Sequence, residues 1–237
     1  MLEFDAENHA YSYDGIPLMS VTQFISTFFE TFDGPAIAAK VVNKPGSPYF
    51  GRDPEEVVAE WEAKGEEGRR LGTLLHQNIQ DFLEQGVTGE DCSEEFDHFL
   101  KFFDTKQWTP IFIEEKVFNL EYRIAGTIDA VFEDEQGQIV ICDWKRAAKM
   151  RFDNPWRRAA PPIQHLDDCD FIKYTLQLSL YRFLLRDRFP EREIQLQLVN
   201  FTDSYREIPI ANRETEIVKM LHLRDRVEQT DAQVRSS

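Results

Sequence analysis

Cysteine is scarce in this chain: Cys92, Cys142 and Cys169 are the three in 237 residues. They form no CxxC pair and no Cys/His zinc spacing, and an odd count argues against a disulfide framework. Reduced thiols in a cytosolic setting are expected. Positive charge is scarce too, with 27 Lys and Arg against 43 Asp and Glu and a net charge of −16. Non-specific affinity for nucleic acid comes from basic side chains that neutralise phosphates. A general polyanion binder is therefore excluded, and any nucleic-acid site must concentrate its cations locally. No apolar run approaches the length of a membrane span, and Met1-Leu2-Glu3-Phe4-Asp5 lacks a basic region before an apolar one. A cytoplasmic protein with no membrane partner is the expectation. There is also no GxxxxGK[ST] phosphate loop, no internal repeat and no low-complexity tract.

What is present suffices for a sizeable core, since 42% of the residues are hydrophobic. Residues 1–67 read as an N-terminal hairpin and helical cover within the same domain. His9 to Tyr13 alternates as a strand before an Asp14-Gly15 turn, and the Ser20 and Thr22 hydroxyls suit a helix N-cap. Asp53-Pro54-Glu55-Glu56 starts a helix after a Pro/Gly-rich loop. Residues 68–228 form the main unit. Leu71, Leu74, Leu75, Ile79, Phe82 and Leu83 fall at helical spacing up to Gly86, and a second helix covers about Ser93 to Lys106. Three strands follow, Ile111–Leu120, Tyr122–Phe132 and Gln138–Lys145, as an antiparallel meander. A long loop, Arg146–Asp170, precedes a helix from about Phe171 to Phe189. A strand over Ile194–Asp203 pairs with Tyr205–Ile210, and a last helix covers Arg213–Val227. Residues 229–237 read as a flexible tail.

The chemistry concentrates on the meander. Asp143 and Lys145, at i and i+2 on a strand, point to one face. The short polar link Glu133–Gln138 with Gly137 reads as a hairpin turn, which brings Asp129 opposite Asp143 within about one residue of register. Two carboxylates so close repel unless protonated or neutralised, and a hard divalent cation such as Mg²⁺ is the usual neutraliser. Such a cluster suits metal-assisted phosphodiester hydrolysis. His76 borders the buried face of its helix, so it is either a structural histidine or a ligand, depending on what the helix packs beside. Glu114 and Glu115 point to opposite faces of their strand, so at most one joins the cluster. Glu115 is the candidate, with a solvated or structural acid as the alternative.

Gly72-Thr73-Leu74-Leu75-His76, Gly126-Thr127-Ile128-Asp129, Asp143-Trp144-Lys145 and Gln177-Leu178-Ser179-Leu180-Tyr181 occur in the order seen in the RecB-like branch of the PD-(D/E)xK nuclease superfamily, which residues 68–185 resemble. The early His9-Ala10-Tyr11 and Ser20-Val21-Thr22 segment is more loosely similar to the lead-in of phage, viral and mitochondrial genome-maintenance exonucleases of that branch. The resemblance implies an α/β restriction-endonuclease-like core, a mixed central sheet flanked by helices with a helical N-terminal elaboration. It implies Mg²⁺ or Mn²⁺ held by Asp129, Asp143, His76 and the Trp144 carbonyl. Lys145 would orient the attacking water and stabilise charge on the phosphate, while Gln177 and Tyr181 would brace the site or touch the DNA backbone. Ser20 and Thr22 would add DNA contacts. Three scattered cysteines cannot supply the four-cysteine iron–sulfur cluster of some relatives, so no such cluster is expected. Any helicase or recombination partner would be a separate chain.

A local answer to the charge deficit lies after the lysine. Lys145, Arg146, Lys149, Arg151, Arg157 and Arg158 stand against one acid, Asp153, with Trp144, Phe152 and Trp156 interleaved. Basic groups beside aromatic faces suit single-stranded DNA, the alternative being a solvated loop with packed aromatics. Arg69 and Arg70 could add phosphate contacts. The expected function is a metal-dependent DNA exonuclease acting at ends in replication, recombination or repair. A structure- or sequence-specific endonuclease of the same fold, or a DNA-binding module without catalysis, are the alternatives.

Overall fold

The segment Ile139-Val140-Ile141-Cys142-Asp143-Trp144 is buried at every position, the mark of a strand with neighbours on both edges and helices on both faces. The computed structural model describes residues 1–5, 8, 10–88 and 92–235, with side chains as far as 224. In it this segment is the central strand of a mixed sheet. The strands are β1 (Leu2–Asp5), β2 (Ala10–Tyr13), β3 (Ile16–Ser20), β4 (Thr109–Asn119), β5 (Ile124–Glu133), β6 (Ile139–Lys145), β7 (Ile194–Phe201) and β8 (Tyr205–Pro209). Their order is β1-β2-β3-β5-β6-β7-β8, with β4 on β5. The β3–β5 and β6–β7 pairs are parallel and the rest antiparallel.

Two helical layers cover the sheet. On one side α1 (Val21–Ser26), α5 (Asp170–Leu185) and the start of α6 (Glu214–Arg235) bury Val21, Phe24, Leu176, Leu180, Ile217 and Met220 against Ile128, Val131, Ile141 and Leu198. On the other, α3 (Pro54–Gln85) and α4 (Glu94–Asp104) bury Leu75, Ile79, Phe96, Phe99 and Phe102 against Ala130, Phe132, Cys142, Trp144 and Phe201. Edge-to-face contacts such as Phe99–Trp144, with centroids 5.7 Å apart, fix the angle at which α4 meets the sheet. The expected restriction-endonuclease-like architecture is what the chain adopts.

The expected N-terminal hairpin is present, and β1 to β3 extend the central sheet through the parallel pairing of Met19 with Ile124 and Ser20 with Ala125. Asp14 and Gly15 both take positive φ, 47° and 78°, as a tight hairpin turn requires; His9 lies outside the described residues. Two expectations need correction. The division at 67/68 falls inside a single helix, α3, which runs through Gly65, Gly68 and Gly72. Glycine costs a helix roughly 1 kcal/mol per position. Here, packing at both ends, Val57 in a small cluster with α2 (Gly34–Val41) and Leu75 and Ile79 in the main core, outweighs it. Lastly, α6 continues to Arg235 rather than ending near Val227.

Candidate active site

The site lies where the sheet branches. One edge of β5 is held along its length by β4. The other edge is shared: β3 takes Ile124 and Ala125, β6 takes Ala130 to Glu133, and Gly126 to Asp129 lie between the two ladders. Extending the β5–β6 register by one rung sets Asp129 against Asp143, as the hairpin reading requires. There the Asp129 carboxylate substitutes for a strand: its Oδ2 accepts the Trp144 backbone N–H at 2.8 Å.

Asp143 is 1% exposed. Its Oδ1 accepts from Gln177 Nε2 at 3.0 Å, and Lys145 Nζ lies 2.6 Å from its Oδ2. That contact is an ion pair without hydrogen-bond alignment, so Oδ2 keeps an unsatisfied lone pair in a dry place. Burial pushes the Asp143 carboxyl up to about 6, against the pull of the Lys145 ammonium and with the push of Asp129. Burial alone would lower Lys145, but the charges of Asp143 and Asp129 outweigh it and raise the ammonium above its ordinary value. Lys145 is thus held charged. The ring of Tyr174, on α5, sits 5.0 Å from its Nζ, a contact the sequence reading missed; its signal was one helical turn of spacing before Gln177.

His76 reaches the branch from α3. Its Nε2 lies 3.0 Å from the Trp144 carbonyl and its Nδ1 3.7 Å from Asp129 Oδ2. The helix does pack beside the carboxylate hairpin, the condition on which a ligand role depended. Open space surrounds Gly72, so that glycine admits no close neighbour. Gly126 does: a Cβ there would stand 2.8 Å from Tyr181 Cε1 and 3.0 Å from a Val21 methyl. Tyr181, buried under the sheet, accepts a long hydrogen bond from Gln177 Nε2 at 3.3 Å. Thr127 is tied to the N-terminal hairpin by Tyr11, with 2.8 Å between the two hydroxyls.

The choice between the paired glutamates comes out the other way. Glu115 pairs with Arg188, at the end of α5. Glu114 faces the site, one of its carboxylate oxygens within 4.8 Å of a ring nitrogen of His76 and a carboxylate oxygen of Asp129. The two neighbours do point to opposite faces, as alternation requires, but it is Glu114 that stands with His76 and Asp129. Glu114 has φ 49°, and the strand loses phase there: Phe112 and Glu115, of opposite parity, both reach Arg188 and Phe189. β5 slips at the facing position, since Ile128 and Val131 share one core while Ala130 and Phe132 share the other. Burial first, then the Asp129 charge, pushes the Glu114 carboxyl up to about 8.

The basic segment is less free than its composition suggests. Arg146 pairs with buried Glu95 at 2.6 Å, Arg151 with Asp170 at 3.1 Å, Arg157 with Glu30 at 3.3 Å, and Arg158 with Asp167. The loop folds onto Glu30 and Glu95 from elsewhere and onto its own Asp167 and Asp170, and the Ala160 N–H donating to the Phe28 carbonyl at 2.7 Å pins it just beyond α1. Lys149 and Trp156 are exposed, Trp156 by 90%. Arg69 is exposed, and Arg70 pairs with Glu67. Ser20 is committed to a capping box with Gln23 and is buried; Thr22 is exposed.

The donors fit a hard divalent cation. His76 Nε2 and the Trp144 carbonyl oxygen are in hydrogen-bond contact at 3.0 Å, close enough for one ion to take both once the imidazole gives up that proton. The Asp129 and Glu114 carboxylates repel each other, and the Lys145 ammonium is engaged by Asp143 Oδ2 rather than by them.

Fold and donor set define the class: a restriction-endonuclease-like domain with a carboxylate, histidine and lysine cluster at the branch of its sheet. The sequence profile of the PD-(D/E)XK nuclease superfamily matches residues 96–236, and the chain belongs to that superfamily of phosphodiester hydrolases. Comparison with curated proteins gives no match. Among solved structures, SSO0001 is 17% identical with a TM-score of 0.34, covering 88% of this chain and 75% of that one. A protein of Eubacterium rectale carrying a provisional exonuclease description is 10% identical with a TM-score of 0.38, covering 92% and 81%.

Proposed function

We propose that this protein is a divalent-cation-dependent deoxyribonuclease that hydrolyses phosphodiester bonds, working from DNA ends. The observation that carries the reading is the buried Asp143–Lys145 pair, 2.6 Å apart, set beside Asp129 and His76 at the branch of the sheet. His76, Asp129, Asp143 and the Trp144 carbonyl would hold Mg²⁺ or Mn²⁺. When bound, the ion would polarise a phosphoryl oxygen and lower the pKa of its water. Lys145 donates: its ammonium is kept charged by two carboxylates and aims at the place where negative charge grows during hydrolysis. Gln177 holds Asp143 in orientation through the 3.0 Å hydrogen bond, and Tyr181 fills the space behind Gly126.

Exposed Trp156 offers a stacking face to an unpaired base, which favours single-stranded ends. Lys149, Arg69 and Thr22 supply exposed polar contacts, and the paired arginines would reach phosphates only by exchanging their acids. No helix among the described residues is long and apolar enough to cross a membrane.

The test is digestion of end-labelled linear DNA and of closed circles, with Mg²⁺ or Mn²⁺ and with chelator. Metal-dependent loss of label from linear DNA only is the expected result. Equal attack on circles would make the protein an endonuclease, and no cleavage by wild type under any metal would leave only a binding module.

A further inference from the structure

We infer that Glu114 is a ligand of the divalent cation at this site, and that its left-handed backbone is kept for that contact. The inference rests on the cation-dependent reading above and adds a residue in place of its neighbour Glu115.

Three independent features converge on it. A glutamate at φ 49° inside a strand is out of place, because only a few per cent of non-glycine residues adopt positive φ. Such strain persists where surrounding structure demands it, and it clusters at functional sites. Here the demand is visible: between the Ile113–Ala130 and Glu115–Ile128 pairs, Glu114 stands level with Asp129, while Glu115 is claimed by Arg188. The Glu114 carboxylate makes no hydrogen bond or ion pair with the described residues, although it is half-buried. Its ligand oxygen, that of Asp129 and a nitrogen of His76 lie within 4.8 Å of one another; ligands opposite each other on such an ion stand roughly 4.2 Å apart. Small side-chain rotations close that gap. Next to them, the Asp143 carboxylate is almost wholly buried, its Oδ2 2.6 Å from the Lys145 ammonium. The charges of Asp129, Glu84 and Asp143 all press on Glu114, with Lys116 the counterweight.

The test is Mn²⁺ binding to the full chain without DNA, by isothermal titration calorimetry and by the loss of the free-ion electron paramagnetic resonance signal. Glu114→Gln should weaken Mn²⁺ binding at least tenfold, and Glu115→Gln should leave it unchanged. Glu114→Gly should weaken binding equally while raising the melting temperature in chelator, since glycine carries neither the strain nor the repelling charge. Asp129→Ala should bind least. Wild-type affinity in Glu114→Gln with lost affinity in Asp129→Ala overturns the Glu114 assignment alone. Wild-type affinity in both shows that the cation reading itself is wrong.

Discussion

Gly126 and Tyr181 occupy one another's space: the glycine's missing Cβ would stand 2.8 Å from the tyrosine ring. The glycine of the Gly126-Thr127-Ile128-Asp129 motif therefore sets how closely α5 approaches the sheet, and with it where Gln177 meets Asp143. Gly126→Ala should destabilise the protein by about 1–3 kcal/mol through overpacking, read from urea denaturation. The penalty should shrink in a Tyr181→Ala background and persist in Tyr181→Phe, which keeps the ring. An equal penalty in all three would place the clash on Val21.

Lys145→Met should abolish cleavage and destabilise the metal-free fold, because it strands the buried Asp143 carboxylate. Removing one partner of a buried pair costs about 3–5 kcal/mol. The folded Asp143 pKa of about 6 lies above its unfolded value, so its contribution to wild-type stability is complete at low pH and lost as pH rises through 6. Without Lys145 that loss deepens. The penalty of Lys145→Met should therefore grow between pH 4 and pH 8, measured by denaturation in chelator; a penalty independent of pH would mean that the pair is not coupled.

Glu114 titrates against stability in the same direction but later. Its folded pKa of about 8 exceeds the unfolded value, so the stability linked to its proton is present at low pH and lost as pH rises towards and through 8. Glu114→Gln removes that loss. In chelator the variant should match wild type near pH 4 and melt progressively higher than wild type towards pH 9. A constant gap would show that Glu114 is not ionising in a dry site.

On the DNA side, Trp156→Ala should weaken single-stranded DNA more than duplex, by about 1–3 kcal/mol, without moving the melting temperature of so exposed a residue. Lys149→Ala should reduce the slope of log affinity against log salt by about one phosphate contact. Arg151, Arg157 and Arg158 changed together to Ala should flatten it by less than three contacts' worth, since each already neutralises an acid. Fluorescence-anisotropy titrations across a salt series, in a Lys145→Ala background, read all three. A full three-contact loss in the triple variant would mean that these ion pairs open on binding.

Much of the site is legible in the sequence because its geometry is local. Asp143 and Lys145 share a face through strand periodicity, and Gly137 with its polar neighbours fixes the hairpin that carries Asp129 to Asp143. Ser20 announces its helix cap, and Gln177 and Tyr181 are one helical turn apart. Each follows from interactions within a few residues, which the chain cannot avoid making.

What the tertiary structure decided is of another kind. Periodicity says that neighbouring glutamates part to opposite faces but not which face meets the site; the pairing of β4 with β5 sets Glu114 level with Asp129, and Arg188 takes Glu115. Two helices became the single α3 because distant packing at its ends outweighed three glycines. The basic segment lost much of its free charge to Glu30, Glu95, Asp167 and Asp170, of which Glu30 and Glu95 lie far away in sequence. Local propensity fixes which elements form, whereas the branch of β5 between β3 and β6, and the side chains gathered there, depend on long-range packing that no short window of sequence encodes.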